Sequence, residues 1–447
     1  MTSAPRVAIV GGGPAGSLLA ILLARRGVIA TVIERSPPFV VGQAGGRSIN
    51  LALAARGITA LRRAGIDAEV TALMIAMRGR MLHEQDGKQR FLSYGQRVTE
   101  EIYSVSRAAL NALIFEIAAK RYGVQYRFGE TCVGVDLTDG APLIAAADGS
   151  TRRLDADVVF ATDGAGSEVR RALADAGEIS ATEDLLDHGY KELTIAAAQD
   201  GGFALEPHAL HVWPRGRFML IALPNPDRTF TATLFLPHTG DPSFASIGPN
   251  EVPAFFRREF ADAVPQLPAL ARDYVSHPTG NLGTVTCGPW SFKDKVLMVG
   301  DAAHAIVPFH GQGMNAAFED CVALDDLIGT HGYDWHAVFA AFEAERAPNA
   351  RAIAEMALEN YLEMRDEVRD AKFELRAALS FELERRFPGH WVPRYSMVMF
   401  HPEIPYAEAQ RRGGLQTGIL RKLTENVSSV TEVDLTRATE LVSTVLG

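Results

Sequence analysis

The sequence predicts an α/β protein. A three-layer, parallel-sheet domain is assembled from separate stretches of chain, a mixed or antiparallel sheet domain is inserted into it, and a helical C-terminal region follows. Three observations carry that prediction. A strand, a glycine-rich turn, a helix and a second strand succeed one another between Arg6 and Arg35. Two later segments, Ala156–Arg170 and Val296–Leu327, each run from an apolar strand through a turn containing aspartate and glycine toward a helix. Between them lie alternating β-rich runs, and beyond Phe342 the apolar spacing becomes helical.

Arg6–Val10 is a short apolar run of β character. Ala15, Leu18, Leu19 and Leu22 then fall on one face of a helix from Pro14 to Arg26, and Gly27 stands where a helix C-cap glycine belongs. Ile29–Ile33 is the second strand, ending on Glu34 and Arg35. In the middle of the chain, Phe218–Leu223 and Thr229–Leu236 are joined by Pro224-Asn225-Pro226-Asp227-Arg228, a hairpin-like pair. Alternation puts Thr229, Thr231, Thr233 and Phe235 on one face and Phe230, Ala232 and Leu234 on the other. By pattern alone the threonine face suits solvent or a pocket equally. Phe342–Phe387 reads as helical, with Pro348 as an early kink or boundary. Ile353, Met356, Ala357, Asn360 and Met364 form one stripe that Asn360 interrupts. A buried amide needs partners, because leaving it unpaired costs about 1–3 kcal/mol.

Length and composition narrow the function. At 447 residues the chain holds two or three domains of roughly 100–200 residues each. Apolar residues at 47% and charged residues at 22% match ordinary globular usage and exclude collagen-like or wholly disordered chains. The 44 basic and 54 acidic side chains leave a net charge of −10, which repels nucleic acid and anionic membrane. An anionic ligand must then be held by local cations. Cys132, Cys287 and Cys321 are widely separated and form no Cys-x-x-Cys pair, so a reducing, cytoplasmic setting without a structural zinc site is expected. His208 and His211 lack the acids or cysteines that would complete a metal site. The uncharged run Val7–Ala24 imitates a membrane segment, but its centre, Gly11-Gly12-Gly13-Pro14-Ala15-Gly16, would break a helix in lipid. Seven charged residues interrupt Leu420–Gly447, so no C-terminal membrane anchor is expected there.

The N-terminal unit has Gly11-x-Gly13-x-x-Gly16 at the strand-to-helix turn and Glu34 at the end of the second strand. Glycines let backbone N–H groups at a positive helix end approach a pyrophosphate, and an acid in that position accepts hydrogen bonds from a ribose. The unit is Rossmann-like and binds a dinucleotide, but by itself it does not choose between NAD and FAD. The later segments add Asp163-Gly164 and Gly300-Asp301-Ala302-Ala303-His304, followed by Pro308 and Gly311-x-Gly313. An acid such as Asp301 at a strand end suits sugar-like hydroxyls, and the turn after it offers backbone N–H groups to negative charge.

This trio resembles the single-component FAD-dependent aromatic hydroxylases. Sharper stretches resemble their kynurenine 3-monooxygenase branch: Gly46–Leu53, Met77–Met81, Tyr94-Gly95, His188–Leu193, His211–Pro214, Ile221–Asn225 and Pro308–Asn315. The likeness runs from Val7 to about Ala409, with Thr162 standing where the family usually has alanine. It implies an enzyme that uses FAD, NADPH as a transient reductant and O2 to hydroxylate the small aromatic amino acid L-kynurenine beside its aryl amine. The alternatives are a hydroxylase of a ring-substituted relative and a flavin-binding sensor without turnover. It implies a FAD-binding domain at 1–72, 101–178 and 288–350, a substrate domain at 73–100 and 179–287, and a helical region at 351–447. It further implies that Gly11, Gly13, Gly16, Glu34, Arg35, Ala52, Arg107, Cys132, Asp163, Asp301, Gly313, Met314 and Asn315 contact FAD, with Cys132 acting through its backbone. Arg80 would pair with the substrate carboxylate, helped by Tyr94 and Tyr406, with Asn360 near the amino-acid end and Met364 beside it. Leu223, Thr233 and Phe235 would form the pocket wall, and Pro308, Phe309, His310 and Gln312 the space next to the flavin. A planar guanidinium suits a carboxylate in a way that lysine does not reproduce.

Overall fold

A computed structural model describes residues 4–38, 50–145, 149–366 and 371–446. Gly46, Arg47, Ser48 and Ile49 of the first family-like stretch lie outside the described residues. Among the described residues no helix is long and apolar enough to cross a membrane. The chain divides into two compact units: residues 1–74, 105–186 and 283–354 form the first, and residues 75–104, 187–282 and 355–447 the second.

The first unit is built on a six-stranded sheet. Its strand order is Ser291–Phe292, Val296–Met298, Val158–Ala161, Val7–Val10, Thr31–Glu34 and Gln125–Phe128. All neighbours are parallel except the two-residue edge strand, and the sequence-predicted strand Val7–Val10 is central. Its four residues are 0–4% exposed, as expected of a strand covered on both faces. Helix Pro14–Arg25 packs against helices Arg107–Tyr122 and Gly313–His331. A smaller antiparallel sheet, Thr131–Val135, Pro142–Ala145 and Thr151–Arg153, lies against helix Glu168–Asp175.

The second unit is organised by a seven-stranded mixed sheet. The order runs Gly280–Gly288, Ser180–Ile195, Phe230–Pro237, Met219–Pro224, Leu210–Pro214, Gly79–His83 and Gln89–Ser93. Of the five registers that join Ser180–Ile195 through to Gln89–Ser93, only that of Leu210–Pro214 with Gly79–His83 is parallel. One face packs a core of Trp213, Leu220, Ala222, Ala232 and Leu234 against Phe255, Phe256 and Phe260. The C-terminal helices Ala371–Arg386, Tyr406–Thr424 and Leu435–Leu446 share a separate apolar cluster around Leu379, Leu383, Trp391 and Ile419.

Candidate active site

In the first unit, the N-terminal turn is close-packed where the sequence requires glycine. Gly11 adopts φ +99°, and a Cβ on Gly16 would lie 2.1 Å from the Gly11 carbonyl oxygen and 2.5 Å from Thr162 Oγ1. The Thr162 hydroxyl lies 2.8 Å from the Gly11 carbonyl oxygen and 3.0 Å from that of Val10, so the one side chain that departs from the family pattern braces the turn. A Cβ on Gly13, in contrast, would have open space around it. We predict that Gly16→Ala overpacks this turn at a cost of about 1–3 kcal/mol. The purified variant should carry clearly less bound flavin than wild type, read from its visible absorbance. A normal flavin content would show the turn to be more yielding than its geometry.

Glu34 is nearly buried at the end of its strand, accepting hydrogen bonds from the Gly12 N–H at 2.9 Å and the Ser36 N–H at 2.8 Å. These fix the carboxylate beside the turn and leave further lone pairs for a ribose. Arg35 and Arg107 are exposed, Ala52 is half-buried, and Cys132 is buried with its Sγ 3.2 Å from the Gly134 carbonyl oxygen. Burial pushes the Cys132 thiol up to about 11, as expected of an apolar strand residue. Asp163 accepts the Glu168 N–H on Oδ2 at 2.9 Å, while its buried Oδ1 has no hydrogen-bond partner. Burial raises the carboxyls of both Asp163 and Asp301.

Asn315 is fully buried and its side chain is spent on structure. Its Oδ1 accepts from Ala54 N–H at 2.9 Å, and its Nδ2 donates to the carbonyls of Ala52 and Gly311 at 2.8 and 2.9 Å. That staple holds the strand Asn50–Leu53 beside the start of helix Gly313–His331. This helix and Pro14–Arg25 both begin without a side-chain cap and without an acid in the first turn. Their first N–H groups therefore remain available to an anionic or electron-rich ligand. Before the second helix, Phe309, His310 and Gln312 are buried and Pro308 is exposed. An open glycine cradle, a placed ribose acid, an orphaned buried oxygen and two uncapped helix starts fit FAD.

Sequence reasoning missed a charged network in this unit. His304 Nε2 lies 2.6 Å from Asp320 Oδ2, which also accepts the Gly300 N–H at 3.0 Å. Arg346 donates to Asp320 and Glu319 at 2.7 Å each, and Arg56 donates to Glu319 at 2.6 Å. The network thus clamps both ends of the turn that carries Asp301. Burial opposes charge on His304, yet the Asp320 carboxylate outweighs it and raises the imidazole. Burial likewise opposes charge on Asp320, where His304 and Arg346 hold the carboxyl down to about 2. The raised imidazole contributes stability that is complete below its unfolded value of 6.5 and is lost as pH rises through the folded value. The depressed carboxyl contributes above 3.8 and is lost as pH falls toward 2. The thermal midpoint should therefore fall on both sides of this window, and Asp320→Asn should flatten the alkaline limb. An unchanged alkaline limb in Asp320→Asn would disprove the assignment.

In the second unit, strand registers collect the predicted wall residues on one face. Leu210 pairs with Arg80, Val212 with Ile221, Ile221 with Thr233, and Met219 with Phe235. Paired residues point the same way, so Arg80, Leu223, Thr233 and Phe235 share a face. The threonine face is pocket-like rather than wet at its centre, since Thr233 is 2% exposed and its Oγ1 has no hydrogen-bond partner. Asn360 and Met364 are both buried one helical turn apart, with Asn360 Nδ2 3.5 Å from Met364 Sδ.

Arg80 is half-buried, its Nε is fully enclosed without a hydrogen-bond partner, and Tyr94 beside it is buried. Its guanidinium carbon lies 5.8 Å from the Tyr94 ring and 5.4 Å from the ring of Tyr395, and those two rings stack at 5.3 Å. Burial works against the charge of Arg80, but Tyr395, Tyr94 and Glu363 more than offset it. Burial also keeps both phenols protonated, as neutral donors. Tyr395 and Glu363 were not anticipated from sequence. Tyr406, which the family likeness suggested, is fully buried at the first position of helix Tyr406–Thr424. The result is a cation beside two stacked phenols, with the enclosed Arg80 Nε–H unspent, an arrangement suited to a carboxylate.

This fold is that of the FAD-dependent monooxygenases. The FAD binding domain family matches residues 5–357. Solved structures of similar fold include the tetrameric form of 2-methyl-3-hydroxypyridine-5-carboxylic acid oxygenase, at a TM-score of 0.67 and 18% identity over 90% of this chain and 98% of that one. PqsL of P. aeruginosa in complex with 2-aminobenzoylacetate matches at a TM-score of 0.63 and 23% identity over 79% and 94%. Kynurenine 3-monooxygenase of Stenotrophomonas maltophilia strain K279a is 49% identical over 438 residues, 96% of this chain and 94% of that protein. Its counterpart in Myxococcus xanthus strain DK1622 is 46% identical over 439 residues, covering 98% and 94%. The chain belongs to the kynurenine 3-monooxygenase family.

Proposed function

We propose that this protein hydroxylates L-kynurenine to 3-hydroxykynurenine, using FAD, NADPH and O2. The observation that carries the substrate reading is the Arg80 guanidinium beside the stacked Tyr94 and Tyr395 rings, with its enclosed Nε–H unspent. In an acidic protein, such a local cation is what an amino-acid carboxylate needs. Glu363, which acts electrostatically on Arg80, would take the substrate ammonium. Asn360 would face the same polar end, while Leu223, Thr233 and Phe235 form the wall along the aromatic ring. Arg80 and Thr233 stand on strands three steps apart, roughly 14 Å. An arginine side chain plus one aromatic amino acid fills that span.

In the first unit, the glycine turn and Glu34 would hold the adenosine end of FAD, Asp163 and Asp301 its polar chain, and the N–H groups of Met314 and Asn315 the flavin edge. Bound and reduced FAD supplies activation of O2. The chain's own part is to bind, orient and keep the site dry. Buried Phe309, His310 and Gln312 exclude water, and no strong protein base is required because the aryl amine already activates the ring position beside it. The three free cysteines fit action in a reducing cytoplasm.

The test is an assay of purified holoprotein with L-kynurenine, NADPH and O2, with product mass and H2O2 both measured. A product one oxygen heavier, formed in step with NADPH consumed, is expected. Stimulated oxidation that yields only H2O2 would defeat the hydroxylase reading, and absence of stimulation would favour a sensor.

A further inference from the structure

The seven-stranded sheet has a second polar centre on the face opposite Arg80. His211 pairs with Met81 and Ala222, so His211, Trp213 and His83 point away from the Arg80 face. His83 and His211 are each 1% exposed. His83 Nδ1 lies 2.6 Å from Asp262 Oδ2, and its Nε2 lies 2.8 Å from His211 Nδ1. His211 Nε2 lies 2.9 Å from the Glu206 carbonyl oxygen. Trp213 stacks on His83 at 4.0 Å and donates its Nε1–H to both Asp262 oxygens at 3.0 Å. Arg215 donates to the His83 carbonyl at 3.0 Å and to the Glu259 carbonyl.

These contacts fix the protons. A carbonyl only accepts, so His211 carries its proton on Nε2 and accepts on Nδ1. His83 must then donate from Nε2. Asp262, already accepting from Trp213 on both oxygens, is held as a carboxylate by His83 and Trp213 against the effect of its own burial. His83 Nδ1 faces that carboxylate, so one continuous hydrogen-bonded chain runs from Asp262 through His83 and His211 to the Glu206 carbonyl. Neither group faces the Arg80 side of the sheet, so the reading of the reaction leaves this centre unused.

Its position suggests a use. His83 ends the five-residue strand that carries Arg80, and that strand meets the rest of the sheet through only three register pairs with Leu210–Val212. On its other side is the outermost strand, Gln89–Ser93. The Arg80 head sits against Tyr94 and Tyr395, and Tyr94 itself follows the strand paired to that of Arg80, its N–H donating to the Arg78 carbonyl at 3.0 Å, so the aim of the guanidinium follows this backbone. We propose that Asp262, acting through His83, is a positioning residue for Arg80: the hydrogen-bonded Asp262–His83–His211 chain pins the end of the strand and sets where the guanidinium meets the ligand carboxylate.

The proposal rests on the carboxylate-binding reading of Arg80. Its test is a double-mutant cycle on holoenzyme, reading the dissociation constant of L-kynurenine from the flavin absorbance change. Asp262→Ala should weaken binding about tenfold while kcat at saturation moves less than about threefold, the pattern of lost ligand positioning. Asp262→Asn keeps an acceptor for Trp213 and a partner for His83, so it should restore most of the affinity. In the Arg80→Met background, Asp262→Ala should cost almost nothing more, because the aim of an absent guanidinium no longer matters. Full additivity of the two changes would overturn the proposal, as would unchanged affinity in Asp262→Ala. If Asp262→Ala does not fold, the cycle is run with His83→Gln, with the same coupling expected and the same additivity decisive. Wild type that does not bind kynurenine would overturn both readings together, whereas wild type that binds it with an additive cycle overturns the positioning alone.

Discussion

Arg80→Met is expected to weaken L-kynurenine binding by about 2–5 kcal/mol, the usual loss when one partner of a buried charge pair is truncated. The FAD content of the purified variant should stay normal, because every residue assigned to the dinucleotide lies in the other compact unit. Methionine keeps much of the length and apolar contact of the arginine stem, so the change reports on charge and hydrogen bonding more than on volume. It also leaves the stacked Tyr94 and Tyr395 rings their hydrophobic neighbour. Equilibrium titration of the oxidised holoenzyme measures the effect directly. Affinity equal to wild type would remove Arg80 from the site. Lysine at this position should recover only part of the loss, since a point charge does not reproduce the two-pronged guanidinium fork.

Asp320→Ala should destabilise the first unit by about 3–5 kcal/mol, the range for breaking a buried ion pair from one side. The variant leaves His304 without a carboxylate and Arg346 with Glu319 alone, and it deprives the Gly300 N–H of its acceptor. A fall in the thermal midpoint of roughly 6 °C or more is expected at pH 7. Weaker flavin retention should accompany it, because Gly300 and His304 flank the turn that carries Asp301. A midpoint within a degree or two of wild type would mean that the three charges are better solvated than their burial indicates.

The N-terminal unit was legible because its information is local: strand, turn, helix and acid lie within thirty residues, each with its own period or turn chemistry. The hairpin around Asn225 and the faces of Thr233 and Phe235 were legible for the same reason, through alternation. What stayed hidden depends on pairing across hundreds of residues. Tyr395 lies more than three hundred positions from Arg80, in a short Pro-Arg-Tyr-Ser stretch with no periodic signal, and only tertiary folding sets the two side by side. The His304, Asp320 and Arg346 network had one available clue. Asp320 sits on the buried stripe of its helix among Ala316, Ala317 and Leu324, where an acid must have a partner. Sequence alone does not name that partner. Asp262 gave no comparable hint, because it follows its helix in an irregular turn and is reached by His83 and Trp213 from different strands.

The parity of the strand Gly79–His83 has a consequence for how this region tolerates change in length. Arg80 and His83 serve opposite faces from positions three apart, so their separation must stay odd. Removing or adding a single residue between them would turn one of the two into the wrong layer, placing a guanidinium in an apolar core or an imidazole in the ligand face. The stretch of Met81 and Leu82 is thus a ruler whose composition is freer than its count. The exposed hairpin tip from Glu84 to Lys88, where the Gly87 N–H returns to the Glu84 carbonyl, carries no such constraint and is the place where insertions in this sheet can be absorbed.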